Sequence, residues 1–281
     1  MVALGLLVST SYSVGALLAP TIAPIPLTFM RFVLASGVFA VVMLASRTPF
    51  TLDRGLVFRA GVVGLIFVAF FVSMFKALET VTPLSTGAIF ALVPLLSAAI
   101  GWLVLGRRLS PAALLLLVVA GLGAVWVVFG GSLARLRALA LGHGELVYFL
   151  GCIAYAAYPT FLQKTARGDP PVRLTFLSFL AAVVLLLLWD APGILATRWT
   201  ELAGWQWLGL IWLAAVPTSI TFYLLQYASL RLTPAKVMAY TYLTPAGVMV
   251  IESLLGHGLP GLSVMAGIAV TLAALWAFER S

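Results

Sequence analysis

Ten apolar stretches, each about as long as a membrane-spanning helix, dominate this sequence and limit the folds that it can adopt. A helix needs about 20 predominantly apolar residues to cross the hydrocarbon core of a bilayer. Only 9% of the residues are charged, whereas a soluble domain carries about 25%. The sequence therefore predicts an all-α polytopic membrane protein. Its ten predicted transmembrane helices are residues 2–19, 26–46, 56–78, 83–105, 111–130, 144–163, 171–189, 205–229, 234–256 and 260–278.

The basic residues predict how the chain is oriented in the membrane. With a cytoplasmic N-terminus, eleven of the 16 Lys and Arg residues fall at cytoplasmic ends of spans. Positive charge accumulates on the cytoplasmic side of membrane proteins. Because ten spans return the chain to its starting side, we expect both termini in the cytoplasm. Arg31 and Lys76 are assigned to the opposite side, near helix ends.

One spacing occurs twice in the chain, about 150 residues apart, which indicates two copies of one unit. The copies are Thr82-Pro83, Pro94 and Trp126 in the first half, and Thr233-Pro234, Pro245 and Trp276 in the second. Each half holds five predicted spans, and an odd number forces the second copy to enter the membrane in the opposite sense. The sequence thus predicts two inverted five-helix repeats, 1–130 and 144–281, joined by a connecting loop at 131–143.

Pro94 and Pro245 are predicted to bend the fourth helix of each repeat. Each lies eleven residues after a proline that suits the first position of a helix, so each falls near the middle of the membrane. There a proline removes one backbone hydrogen bond and kinks the helix. The two prolines are candidate hinges, and the alternative is that they are packed kinks with no ligand nearby.

The chain resembles the drug/metabolite transporter (DMT) superfamily, of the EamA type. The resemblance rests on ten spans in two inverted halves, a proline in the fourth span of each half, and two short segments. These segments are Phe29-Met30-Arg31-Phe32 in the second span and Leu105-Gly106-Arg107-Arg108-Leu109-Ser110 after Pro94. Family members commonly carry a glutamate after that glycine, where this chain has Arg107 in the first half and His257 in the second. Within the superfamily the chain is most similar to YddG-type exporters of aromatic and other amino acids. The resemblance implies amino acid export across a bacterial inner membrane.

Polar and aromatic side chains recur at helical spacing on several predicted spans and are candidates for the solute pathway. Such stripes face either a wet cavity or a neighbouring helix. The candidate pathway residues are Ser9, Tyr12, Ser13, Phe70, Met74, Phe90, Tyr155, Tyr158, Phe222, Gln226 and Tyr240. Lys76, Glu79 and Glu252 are candidates for ion coupling or gating, with placement at the membrane interface as the alternative.

The residue types on these stripes favour a particular class of solute. Tyr, Phe, Ser, Thr and Gln provide apolar area with scattered hydrogen-bonding groups, which suits small amphipathic molecules such as amino acids or flat organic cations. We therefore predict a secondary transporter that works by alternating access through a central cavity between the repeats. Organic-cation or drug efflux by the same fold remains open, as do a solute channel and an intramembrane enzyme.

Several kinds of site have no counterpart in the sequence. It lacks the G-x-x-x-x-G-K-[ST] phosphate loop, the H-E-x-x-H zinc motif and the G-x-S-x-G nucleophile motif. We therefore expect no enzyme activity, no catalytic residues, no metal and no cofactor. The expected partners are a small-molecule solute and the lipid bilayer, with no nucleic acid, and the expected oligomeric state is a monomer.

Overall fold

Helices make up all the regular secondary structure in the part of the chain that the structure describes. The computed structural model describes residues 2–50, 52–81, 83–138, 142–254 and 261–280, without the side chains of residues 2–4, 6, 83–85, 252 and 254. Within these ranges, eight helical segments are long and apolar enough to cross a membrane. They are Pro24–Ala45, Arg54–Leu78, Thr86–Leu105, Pro111–Val128, His143–Thr165, Pro171–Ala196, Gly204–Ser229 and Leu262–Arg280.

In the described part of the first half the chain forms seven helices, of which the last is a short helix of five residues in the predicted connecting loop. They are α1 (Val2–Leu18), α2 (Pro24–Ala45), α3 (Arg54–Leu78), α4 (Pro83–Phe90), α5 (Val93–Leu105), α6 (Pro111–Val128) and α7 (Leu133–Arg137).

The described residues of the second half also form seven α-helices, and two long segments there contain a stretch of a different helix type. The α-helices are α8 (His143–Thr165), α9 (Pro171–Ala196), α10 (Gly204–Leu213), α11 (Thr221–Ser229), α12 (Pro234–Met238), α13 (Thr244–Leu254) and α14 (Leu262–Arg280). A π-helix, Ala214–Ile220, joins α10 to α11, and a 3-10 helix, Ala239–Leu243, joins α12 to α13. A separate 3-10 turn occupies Trp199–Glu201.

Two of the ten predicted spans are not among the eight long apolar helices. Within the described residues, α1 is an apolar helix of 17 residues, Val2–Leu18, slightly below the length of about 20 that a full span needs. The predicted span 234–256 is divided into α12, the 3-10 helix and α13. The predicted span 171–189 is too short, because α9 runs on to Ala196 past a non-helical backbone conformation at Asp190 (φ −147°, ψ 56°).

Local capping explains where several helices begin. Asp53 accepts a hydrogen bond from the backbone N–H of Leu56 at 2.8 Å, and Ser110 accepts one from Ala113 at 3.1 Å. Such side chains satisfy backbone donors that lack a partner in the first turn. Proline occupies the first turn of α2, α5, α6, α9 and α12, where its missing N–H is not needed.

Most of the extensive helix contacts join the two halves of the chain. The helix α3 packs against α8 and α9, α2 packs against α9, and α5 packs against α8. The helix α1 packs against α13, and α6 packs along α14. The largest cluster of buried apolar side chains lies among α1, α2, α3, α8, α9 and the segment from α10 to α11. The centre of the molecule is thus built from both halves.

Candidate functional site

A small buried cavity lies where helices of both halves meet. Its volume is about 20 Å³, which is room for about one water molecule. The wall is mainly aromatic, with a few hydroxyl groups and one guanidinium group. The lining residues are Val8, Ser11, Tyr12, Arg31, Phe70, Phe71, Met74, Phe90, Tyr155, Pro217, Thr221 and Phe222.

Six of the eleven residues that the sequence proposes for the solute pathway line this cavity. They are Tyr12, Phe70, Met74, Phe90, Tyr155 and Phe222. The rings form one connected cluster: Phe70 stacks on Tyr155 with ring centroids 4.4 Å apart, and Phe90 lies 5.8 Å from Phe70. In this conformation the aromatic rings leave room only for about one water molecule.

The other five candidates are placed around the cavity or away from it. Ser9 is buried between helices, where its hydroxyl donates to the carbonyls of Gly5 at 2.7 Å and Thr244 at 2.9 Å. Gln226 accepts a hydrogen bond from Thr175 at 2.8 Å. Ser13, Tyr158 and Tyr240 are also outside the cavity lining. Ser9 and Gln226 therefore hold helices together in this structure.

Two pairs of tyrosine hydroxyls connect the cavity wall to neighbouring helices, and one of them, Tyr12 with Tyr148, joins the two halves of the chain. The hydroxyls of Tyr12 and Tyr148 are 2.8 Å apart, and those of Tyr155 and Tyr240 are 2.7 Å apart. All four residues are buried. Tyr148 lies seven residues before Tyr155 on the same helix face, but its contact with Tyr12, 136 positions away, does not follow from the sequence.

Removing one hydroxyl of such a pair has a testable cost. We expect Tyr148→Phe to lower the free energy of unfolding by about 1 to 2 kcal/mol, because it leaves the buried Tyr12 hydroxyl without this partner. The double variant Tyr12→Phe/Tyr148→Phe should recover part of the loss. Thermal unfolding in detergent measures both, with the half-exposed Tyr227→Phe as a control expected to change little. Strict additivity of the two single variants would contradict the coupling.

Arg31 is the charged residue among those that line the cavity. The sequence-based placement of Arg31 near the end of a span is therefore wrong. Arg31 is the eighth residue of α2, since that helix begins at Pro24, and its side chain is fully buried. The Nε atom donates to Thr218 Oγ1 at 2.5 Å, and Nη2 donates to Ser11 Oγ at 3.1 Å. The guanidinium carbon lies 4.0 Å from the centre of the Phe71 ring. Among the residues that the structure describes, this buried cation thus meets only neutral groups.

The helix that faces Arg31 departs from α-helical geometry at the contact. The π-helix Ala214–Ile220 contains Pro217, which lines the cavity, and Thr218, whose hydroxyl donates to the carbonyl of Leu213 at 2.6 Å. Single-turn π-helices occur frequently at functional sites. Sequence reasoning missed this segment, and Pro217 inside an apolar span was the available signal.

Both candidate hinge prolines lie at breaks in their helices. The turn at Ala91 and Leu92 separates α4 from α5, and Pro94 follows in the first turn of α5. The 3-10 helix Ala239–Leu243 ends one residue before Thr244-Pro245. Because proline has no N–H, the carbonyl four residues earlier loses its helical donor. At the first break that carbonyl belongs to Phe90, a residue of the cavity wall.

Two of the three candidate coupling residues, Lys76 and Glu79, lie away from the central cavity. Lys76 and Glu79 form an ion pair of 2.6 Å at the end of α3, where both are accessible. Lys76 and Asp190 also line a larger cleft, of about 420 Å³, formed by α2, α3, α8 and α9. The side chain of Glu252 lies outside the described part of the structure. No grouping of His, Cys, Asp and Glu suited to a metal ion occurs among the residues that the structure describes.

Comparison with known proteins gives a consistent result. The model of the EamA-like transporter family matches residues 1–129 and residues 142–278. An uncharacterized transporter of Bacillus subtilis (strain 168), YyaM, is 22% identical over 218 residues, which cover 77% of this chain and 70% of that protein. A solved structure described as "Crystal structure of protein" superposes with a TM-score of 0.77 at 20% identity, covering 98% of this chain and 95% of the other. At that identity the likeness establishes the fold.

Proposed function

Because this chain belongs to the EamA-like transporter family, we propose that it is a secondary transporter that works by alternating access. It exports small amphipathic metabolites, chiefly amino acids, including aromatic ones. The observation that carries the proposal is the buried aromatic cavity, which lies between the two halves beside breaks in two helices. A transporter must be able to close its binding site toward both sides, and a site of this kind has helices of both halves in its wall.

The pattern of helix contacts supports two inverted repeats with ten spans. We pair α1 with α8, α2 with α9, α3 with the segment α10–α11, α4–α5 with α12–α13, and α6 with α14. The main contacts between the halves then have counterparts. The helix α3 packs on α8 and α9, as α10 packs on α1 and α2, and α5 packs on α8, as α13 packs on α1. The helices α6 and α14 pack on each other, as do α2 and α9. Such pairing is expected of two copies related by a two-fold axis.

Access to the cavity must come from rearrangement, because its present volume fits only about one water. The breaks before Pro94 and Pro245 divide the fourth helix of each proposed repeat into two short rigid parts. Rotation of one part relative to the other would open the cavity toward one side at a time. The two breaks occupy equivalent positions in the proposed repeats. Movement at one break would therefore open the cavity to one side of the membrane, and movement at the other break would open it to the opposite side.

The composition of the cavity wall supports an amphipathic solute. Aromatic rings provide apolar contact area, while Ser11, Tyr12 and Thr221 provide hydroxyl groups. The same rings would also suit organic cations. The buried guanidinium of Arg31 disfavours that alternative, because a cationic solute would be repelled at short range.

Transport by purified protein in lipid vesicles tests the proposal. We expect counterflow of radiolabelled L-phenylalanine and other apolar amino acids, absent from vesicles without protein. If neither amino acids nor organic cations move, the proposed function is wrong. Single-channel conductance steps in a planar bilayer would instead identify a channel.

The prolines at the breaks provide a second test of the mechanism. We expect Pro94→Ala and Pro245→Ala to remain folded and to slow transport several-fold, because a restored backbone hydrogen bond stiffens the break. The control is Pro192→Ala, which replaces a proline inside α9 near its end and away from the central cavity. Wild-type transport rates in both hinge variants, measured in the same vesicles, would mean that these prolines only shape packing.

We propose that the protein resides in a bacterial inner membrane as a monomer, with both termini in the cytoplasm. The support is the distribution of basic residues between the ends of the spans. The only cysteine, Cys152, is buried, so a cysteine introduced at either terminus can be labelled selectively. Labelling of the two termini from opposite sides of the membrane would contradict the topology.

A further inference from the structure

Arg31 carries a full positive charge at a place where the described protein provides no negative one. A guanidinium group stays protonated in proteins. Its side chain is fully buried in the cavity wall. A buried charge without a counter-ion is strongly unfavourable, so such groups are usually paired or neutralised. The retention of this charge therefore calls for an explanation.

The contacts of Arg31 leave part of its binding capacity unused. Thr218 and Ser11 each accept one hydrogen bond, and the face of the group lies over Phe71. The third nitrogen, Nη1, is buried and has no hydrogen-bond partner among the described residues. The group could donate five hydrogen bonds. Arg31 is thus held in a fixed orientation by two neutral hydroxyls while one nitrogen of its fork remains available beside the cavity.

The acidic residues are engaged elsewhere. Of the eight Asp and Glu side chains in the chain, three are in ion pairs with other cations: Glu79 with Lys76, Asp169 with Arg59, and Glu201 with Arg198. Three others accept backbone N–H groups at helix ends: Asp53, Glu145 and Asp190. Glu279 is at the end of α14, and the side chain of Glu252 is outside the description. Within the described part, Arg31 has no ion pair.

We propose that Arg31 binds the carboxylate of the transported solute, which makes small carboxylates with an apolar or aromatic side chain the solute class of this protein. The fork of a guanidinium group matches a carboxylate and holds it through charge-assisted hydrogen bonds. The rings of Phe70, Phe71 and Phe222 lie on the same cavity wall for the apolar part of the solute. One buried cation suits a singly charged carboxylate better than a doubly charged phosphate. The inference rests on the proposed function and specifies its substrate.

Binding to the wild-type protein distinguishes carboxylate recognition from general amphipathic recognition without any mutation. Three probes share a phenyl ring on a short chain: L-phenylalanine, 3-phenylpropionate with no amine, and 2-phenylethylamine with no carboxylate. We expect the two carboxylates to raise the melting temperature of the detergent-solubilised protein, since a ligand stabilises the state that it binds, and the amine to leave it unchanged. Stabilisation by the amine equal to that by L-phenylalanine, or stabilisation by none of the three, overturns the proposal.

Variants of Arg31 test whether the charge serves binding or folding. We expect the dissociation constant of L-phenylalanine to rise about 100-fold in Arg31→Met, which removes the charge, and about tenfold in Arg31→Lys, which keeps the charge but loses the fork. The melting temperature of ligand-free Arg31→Met should equal or exceed that of the wild type, because a buried uncompensated charge is replaced by an apolar side chain. A structural role predicts the opposite shift.

A buried arginine that has a counter-ion provides the matched control. Arg59 pairs with Asp169, so Arg59→Met should lower the melting temperature while leaving the preference for carboxylate over amine unchanged. Affinity in Arg31→Met within threefold of wild type overturns the proposal. If Arg31→Met does not fold, the charge is structural and the proposal also fails. Transport of amines but not carboxylates in vesicles would leave the transporter function standing and refute only the role of Arg31.

Discussion

Replacing Asp169 with asparagine should lower the free energy of unfolding by about 3 to 5 kcal/mol, since breaking a buried ion pair leaves an uncompensated buried charge. Asp169 lies between α8 and α9 and accepts a hydrogen bond of 2.5 Å from Nη2 of Arg59 on α3. The Arg59 side chain is only 4% exposed and that of Asp169 only 10%. Arg173 on α9 adds a second, longer contact to the same carboxylate at 3.5 Å. The pair therefore fastens α3 to the start of α9, across the two halves.

An exposed ion pair of the same chain provides the control for this prediction. The side chains of Arg198 and Glu201 are 78% and 63% exposed and their atoms approach to 3.3 Å. Exposed pairs contribute little because water screens them, so Glu201→Gln should leave the melting temperature unchanged within error. The double variant Arg59→Met/Asp169→Leu should regain most of the stability that Asp169→Asn loses, because neither charge then remains buried alone. If Asp169→Asn lowers the free energy of unfolding as little as Glu201→Gln does, the prediction that the buried ion pair stabilises the fold is wrong.

The amino-acid sequence predicts the parts of this fold that depend on local pattern. Apolar stretches of spanning length locate the long helices, since length and hydropathy are properties of the segment alone. The breaks near Pro94 and Pro245 follow equally from proline's missing N–H. Six aromatic and sulfur-containing residues of the cavity wall were found as stripes because helical periodicity puts them on one face.

Some features of the site are not evident from the sequence, and each of them depends on contacts between residues that are distant in the chain. Arg31 looks like an interfacial residue near the start of a span, and only its packing against Thr218, 187 positions away, makes it central. The pairing of Arg59 with Asp169 spans 110 positions. The π-helix around Pro217 changes the hydrogen-bond spacing without changing the apolar composition. The site therefore combines predictable stripes with one buried charge whose meaning comes from tertiary structure.

The substitution Gly64→Leu should lower the free energy of unfolding by about 4 kcal/mol or more, a loss that few single substitutions cause. Gly64 lies where α3 crosses α9. A β-carbon built on Gly64 would be 2.9 Å from the Ala182 backbone nitrogen, the Ser178 carbonyl oxygen and the Ala181 β-carbon. Two of these three atoms belong to the helix backbone, so no side chain can rotate away to make room. Close helix crossings in membranes depend on small residues for this reason.

Gly61, one turn earlier on the same helix, provides a control that differs only in its surroundings. A β-carbon at Gly61 would meet nothing within 4 Å, so Gly61→Leu should be neutral, or stabilising by up to about 1 kcal/mol because leucine favours a helix more than glycine does. Gly64→Ala should be intermediate, with a loss of about 1 to 3 kcal/mol. Thermal unfolding and the yield of monodisperse protein measure all three variants. Because α3 and α9 lie in different halves, equal behaviour of Gly64→Leu and Gly61→Leu would mean that the halves do not approach as closely as the structure places them. The position of α3, which brings Phe70 and Phe71 to the cavity wall, would then be wrong.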